Sequence, residues 1–361
     1  MMMPELPEDL LVEILCRVPA TSLKRLRSTC KLWNHLYNDK RFKSKHCHKA
    51  PRQSLILMWK NFGFSSISIN LQRVSPIEVT GELNLIDHHS SLGMFRNSPL
   101  CQTSGLLLCV NVEKINTRLV VWNPCTGKTK WIQHRRMGYI CNYALGSYQD
   151  KKSDNNSYKI LSHGIYGGQE FEIYEINSNS WRILDVTVDS SLYIENVSLK
   201  GKTYWFATDG NDKPCDLFLI CFDYTTERFE RLCLPYQIPY FRNTSLSVVK
   251  EEKLSVLLQP SLTSKTQIWV TNKIGEAKVL SWIKFLTVDL KPEIKYGIKF
   301  LVDEENKVLV YEQNFVINGK NNMIYVVGED NEVREVVFRV GLKPLFFYYV
   351  PSLTQIRQGN D

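Results

Sequence analysis

A strand–turn–strand unit recurs through most of this chain, and it narrows the possible folds more than any other feature. The clearest copy is 120–132 (VVWNPCTGKTKWI). Others are 173–184 (IYEINSNSWRIL), 219–232 (LICFDYTTERFERL), 268–280 (IWVTNKIGEAKVL) and 324–336 (IYVVGEDNEVREV). Each joins two runs rich in β-branched and aromatic residues through a short polar turn. Aligned on the residues that open the turn (Asn123, Asn177, Asp223, Asn272 and Gly328), the copies lie 54, 46, 49 and 56 residues apart. Asn, Asp and Gly suit those places because they tolerate the positive φ of tight hairpin turns.

A second hairpin type alternates with the first. It reads 197–206 (VSLKGKTYWF), 246–257 (LSVVKEEKLSVL) and 300–310 (FLVDEENKVLV), with a partial copy at 104–109. Each period therefore holds two hairpins, four strands in about fifty residues, which is the unit of a β-propeller blade. Five units are recognisable, and a sixth is expected over 54–100, with first strands at 55–59 and 67–71. Residues 348–350 supply a candidate closing strand. The expected β domain spans 54–350, and the polar tail 351–361 is expected to fray. An irregular array of β-sandwiches is the competing architecture.

The first fifty residues obey a different period. Leu10, Ile14 and Val18 recur every four residues with Leu11 and Leu15 beside them, an apolar stripe at helical spacing. Pro7 fits a first turn, Glu8 and Asp9 suit the positive end of the helix dipole, and Pro19 stops the helix. Thr21 or Ser22 is then placed to cap a second helix carrying Leu23, Leu26, Cys30 and Trp33 on one side. After Trp33 the helical pattern fades, and the basic stretch 46–53 reads as a linker. Two short helices cannot bury a core of their own. Their apolar surface must pack on the rest of the chain or on a partner.

The pattern Leu6-Pro7-x-Asp9-Leu10-x-x-Glu13-Ile14-Leu15-x-x-Val18-Pro19-x-x-Ser22-Leu23, continuing to Arg27, Cys30, Lys31 and Trp33, resembles the F-box. That motif docks substrate receptors onto SCF-type ubiquitin ligases. Ala20-Thr21 departs from it where a basic residue is common, as does Ser28-Thr29 where apolar residues are common. Trp122-Asn-Pro-x-Thr-Gly is similar to the signature of the F-box-associated domain of plant F-box proteins. The resemblance implies an F-box over 4–45 whose motif positions are Leu6, Pro7, Leu10, Ile14, Leu15, Pro19, Leu23, Cys30 and Trp33. With the neighbouring Leu11 they form the expected adaptor-binding set. It also implies an adaptor and, through it, a cullin as partners, and a target protein held by the β domain. The fold class that follows is α+β by segments, a small helical unit and then a propeller-like domain of five to six four-stranded units.

Charge and chemistry fit that reading. The net charge is +8, of which about +6 lies in residues 1–52, so the β domain is nearly neutral. A solvated helix face accounts for the excess, although a nucleic-acid contact there is a third reading. No pair among the ten cysteines has Cys-x-x-Cys spacing, no apolar signal segment opens the chain, and no stretch is long enough to span a membrane. A reducing intracellular site, cytoplasmic or nuclear, is expected.

Gly127-Lys128-Thr129 is no phosphate loop, because Trp122 stands where the first glycine belongs and a strand follows. His46-Cys47-His48 and His88-His89 have no second ligand pair at metal spacing. No Gly-x-Ser-x-Gly elbow occurs. No metal, cofactor or catalytic group is expected. The alternative is a propeller-type enzyme or small-ligand binder whose helices only cap the domain. Target-facing loops are sought at 146–156, 208–214 and 235–243, above all at Tyr236, Tyr240 and Phe241, because exposed aromatics anchor interfaces.

Overall fold

The computed structural model describes residues 6–51, 55–60, 63–68, 78–83, 85, 99–112, 117–134, 141–149, 156–164, 170–209, 217–237, 240–263, 265–275, 280–290, 298–313, 323–337 and 345–356. Four short helices come first: α1 (Glu8–Leu15), α2 (Ala20–Leu26), α3 (Lys31–Asn38) and α4 (Lys40–Lys49). The expected second helix is thus two. Cys30 breaks it in extended backbone, and its Sγ accepts the Trp33 amide at 3.4 Å to start α3. Thr21 and Ser22 cap nothing; they lie inside α2, which Pro19 precedes without a side-chain cap.

Helix α4 was hidden by its lysines. Asp39 caps it by accepting the Phe42 amide at 2.7 Å, and Phe42, Lys43 and His46 face inward. The stretch 46–53 is therefore not all linker, since 46–49 form the last turn of this helix. His46 is 1% exposed, and its Nε2 donates to the Val18 carbonyl at 2.8 Å. The helices share one core: Leu11, Leu15, Cys16, Ala20, Leu23, Leu36, Tyr37 and Phe42, joined by Cys125 and Leu353 from the β domain.

Among the described residues the β domain is six four-stranded antiparallel sheets, as the repeat implied. The first holds β1 (Leu55–Lys60), β2 (Gly63–Ser68) and β3 (Glu78–Leu83). The second holds β4 (Pro99–Thr103), β5 (Leu106–Val112), β6 (Thr117–Trp122) and β7 (Thr129–His134). The third holds β8 (Cys141–Gln149), β9 (Asn156–Gly164), β10 (Phe171–Glu175) and β11 (Ser180–Ile183). The fourth holds β12 (Ser190–Leu199), β13 (Lys202–Asp209), β14 (Leu217–Asp223) and β15 (Arg228–Leu232). The fifth holds β16 (Phe241–Val249), β17 (Lys253–Pro260), β18 (Lys265–Thr271) and β19 (Trp282–Asp289). The sixth holds β20 (Ile298–Asp303), β21 (Val308–Gln313), β22 (Met323–Val327) and β23 (Val333–Val337). The last strand, β24 (Leu345–Tyr349), returns to the first blade and pairs β1, with Leu55 opposite Tyr349 and Leu57 opposite Phe347.

Two of the five aligned turn openers, and Asp303 of the second hairpin type, share one turn chemistry. Asn123 Oδ1 accepts the amides of Cys125 (2.9 Å) and Thr126 (3.1 Å). Asp223 does the same for Thr225 and Thr226, and Asp303 for Glu305 and Asn306. Lys200 and Gly201 both have positive φ (46° and 77°), as the tight hairpins require. The antiparallel order puts these turns at one end of the ring. The helices sit at that end, since Cys125 lies in the β6–β7 turn. The other end carries the β–β connections between second and third strands and between blades.

Buried rings fill the spaces between blades. His163 lies 5.7 Å from Phe171 and 6.3 Å from Trp205, and burial pushes its pKa down to about 4 from 6.5. The unfolded chain then binds a proton that the folded chain refuses between these values. Stability is fully present above pH 6.5 and is lost as pH falls toward 4, by up to ~3 kcal/mol. Urea midpoints measured across that window should fall more steeply for the native chain than for His163→Phe. Parallel profiles would refute the assignment.

Candidate functional site

Helix α1 has two faces with different fates. Leu11 (8% exposed) and Leu15 (4%) enter the helical core, whereas Leu6, Leu10 and Ile14 stand 58%, 53% and 52% exposed at four-residue spacing. Leu32 at the start of α3 adds a fourth exposed side chain, 46% accessible. A single exposed leucine is ordinary, but four large ones on so small a unit mark a surface built to be covered. Pro7 and Cys30 are also exposed; Pro19 and Trp33 are half-buried. The expected adaptor-binding set is therefore divided. Leu11, Leu15 and Leu23 are turned inward, because they fill the space between the helices. Leu32 was missed; a leucine one place before the motif's Trp33, off the buried face, was the available signal.

Beside this stripe, Glu13 accepts from Lys49 at 2.6 Å and Arg17 at 2.8 Å, tying α1 to α4. These hydrogen bonds, from Lys49 first, hold its carboxyl down to about 2.

The three aromatics of the expected loop 235–243 lie at the opposite end of the ring, and they also divide. Tyr236 and Phe241 are half-buried, their rings 5.7 Å apart, with Trp269 at 5.9 Å from Tyr236. They pack between the fourth and fifth blades rather than face solvent. Tyr240 is 63% exposed, and its carbonyl accepts from the amide (3.2 Å) and hydroxyl (3.1 Å) of Ser261. Next to Ser261, Leu262 is wholly exposed. Tyr193 and Ile194 project at the same end of β12, where pairing with β13 skips from Leu192 to Asn196. A bulge of this kind re-aims side chains and leaves no mark in hydrophobic period. The other loop expectations shrink: residues 146–149 belong to β8, 208–209 to β13, and 150–155 and 210–214 lie outside the described residues.

No cluster of three or more His, Cys, Asp or Glu able to hold a metal occurs among the described residues. In α4, His46 is engaged with Val18, while His48 Nδ1 meets the Ser44 carbonyl at 2.8 Å. His88 and His89 lie outside the described residues. Gly127-Lys128-Thr129 forms the β6–β7 hairpin turn and the start of β7. Among the described residues His134 forms an acid–base chain: it meets the Tyr143 hydroxyl at 2.9 Å and Glu172 at 2.8 Å, and stacks on Trp181 at 4.2 Å. It is enclosed between the second and third blades, where it joins them. No helix among the described residues is long and apolar enough to cross a membrane.

Comparison with known proteins matches both units. Residues 3–45 match the family described as F-box domain, and residues 55–356 that described as F-box associated beta propeller domain. A probable F-box protein of Arabidopsis thaliana is 53% identical over 372 residues, covering 99% of this chain and 88% of the relative. An F-box/kelch-repeat protein of the same plant is 44% identical over 387 residues, covering 100% and 98%. With helices whose outer stripe awaits a cover and a six-bladed ring behind them, the chain belongs to the F-box proteins that carry an F-box-associated β-propeller domain.

Proposed function

We propose that this chain is the substrate receptor of an SCF-type ubiquitin ligase. The exposed apolar side chains of Leu6, Leu10, Ile14 and Leu32 carry the reading. An adaptor covers them and links the chain to a cullin. The target is held at the opposite end of the ring, where Tyr193, Ile194, Tyr240 and Leu262 are presented. The receptor has no chemical step of its own. It raises the effective concentration of a target lysine near the ubiquitin carrier, and the carrier supplies the thioester. Such work belongs inside the cell, in cytoplasm or nucleus, and needs no cofactor.

Removing residues 1–45 cannot separate this reading from a capping role. The inner faces of the helices share a core with Cys125 and Leu353, so the deletion would open that core in either case. The test leaves the chain whole. Full-length protein is mixed with purified adaptor and cullin and passed over a sizing column. Co-elution of all three is expected; elution of the chain alone would overturn the proposal. Crosslinking through Tyr240→Cys in plant extract should then recover the target.

A further inference from the structure

We infer that the helical unit does not stand alone: the C-terminal segment 351–356 completes its core, so the closed propeller steadies the adaptor surface. Leu353 is 0% exposed and lies in one cluster with Leu11, Leu15, Leu23 and Phe42. Cys125, 5% exposed, reaches the same cluster from the β6–β7 turn. The tail expected to fray is therefore ordered through residue 356, because it is apolar where it must be: Ile356, 6% exposed, packs between the second and third blades.

Asn123 binds turn and tail together. It is 0% exposed; its Nδ2 donates to the carbonyls of Ser352 (3.1 Å) and Thr354 (2.9 Å) while its Oδ1 holds the turn. Ser352 Oγ and Thr354 Oγ1 both donate to the Ser104 carbonyl, at 2.7 and 3.1 Å. Gly105 leaves the room: a Cβ there would lie 2.3 Å from Ser352 Oγ, and its φ is +76°. Lys24 of α2 adds a bond to the Pro124 carbonyl at 3.4 Å.

The order of assembly follows from chain order. Leu353 comes four residues after β24, and β24 reaches its place only by pairing β1. Four helices of this size have too little area to bury a core unaided. Until the ring closes, the helical core lacks two of its ten buried side chains, and the inward turn of Leu11 and Leu15 that sets Leu6, Leu10 and Ile14 outward is held less firmly.

The inference rests on the receptor reading only for its consequence, and the test has an arm that needs no adaptor. Amide hydrogen exchange is followed in full-length Leu353→Asp, Leu353→Met and Cys125→Asp. Exchange in α1–α4 should rise about tenfold or more in the two Asp variants, near native values should return with Met, and β13, β14 and β17 should stay protected. Adaptor affinity should fall with the loosened helices. Helices as protected as in the native chain would overturn the inference. So would loss of protection throughout the blades in both Asp variants, since the segment would then be holding the ring rather than the helices. Loosened helices in a chain that never bound the adaptor would fail the receptor reading alone.

Discussion

Leu10→Asp or Ile14→Asp should severely weaken adaptor binding while leaving the fold nearly as stable as before. Both side chains are half exposed in the free chain, so a carboxylate there stays hydrated and should change stability by no more than about 0.5 kcal/mol. In the complex the same carboxylate would be desolvated without a partner. Central apolar anchors typically contribute about 2–4 kcal/mol, so affinity should drop by roughly 30- to 1000-fold. Titration calorimetry against the adaptor, with a thermal melt of each variant, reads both numbers. Leu15→Asp is the control with the opposite signature, since that residue is 4% exposed and its loss should loosen the helices before any partner is added. Unchanged affinity in the Leu10 and Ile14 variants would sink the docking surface.

Gly146→Ala should be the most damaging single methyl in the ring. A Cβ at 146 would lie 1.9 Å from Tyr224 Cε2 and 2.0 Å from Cδ2, inside the ring itself. Tyr224 cannot yield easily. It is 0% exposed, packs edge-on against Phe222 at 5.1 Å, and exchanges a 3.0 Å hydrogen bond with Thr203. Overpacking of this sort costs about 3 kcal/mol, occasionally more, which is a large part of what holds a domain folded. The urea midpoint should fall accordingly. Removing the ring should relieve the clash: Gly146→Ala with Tyr224→Leu should be more stable than the two separate losses added together. Strict additivity would show that Tyr224 is not what the methyl meets.

Most of the fold was legible because turns write themselves in polar residues. Asn123, Asp223 and Asp303 each receive two amides, a role that suits short polar side chains, so the hairpins stand out between apolar runs. The helices were half legible. The stripe of α1 is plain, but α3 and α4 bury Leu36, Tyr37, Phe42 and His46 among so many lysines and histidines that no wide apolar face forms. The outer and inner faces of α1 could not be sorted: Leu10 and Leu11 are neighbours of equal hydrophobicity, and only the position of the other helices decides which one faces out. The tail was misread because composition says polar, while Leu353 and Ile356 are the two side chains that matter. At the end away from the helices, Tyr240 reads like Tyr236 and Phe241 in sequence, and packing against Trp269 separates them. The bulge that exposes Tyr193 and Ile194 depends on how two strands slip past each other, which no single strand encodes.

The return of β24 to β1 also limits how such a protein can change over generations. A change that removed the last strand would leave β1 with an open edge and strip Leu353 from the helical core. The connections at the end away from the helices touch neither, so change can accumulate there while ring and helices stay intact.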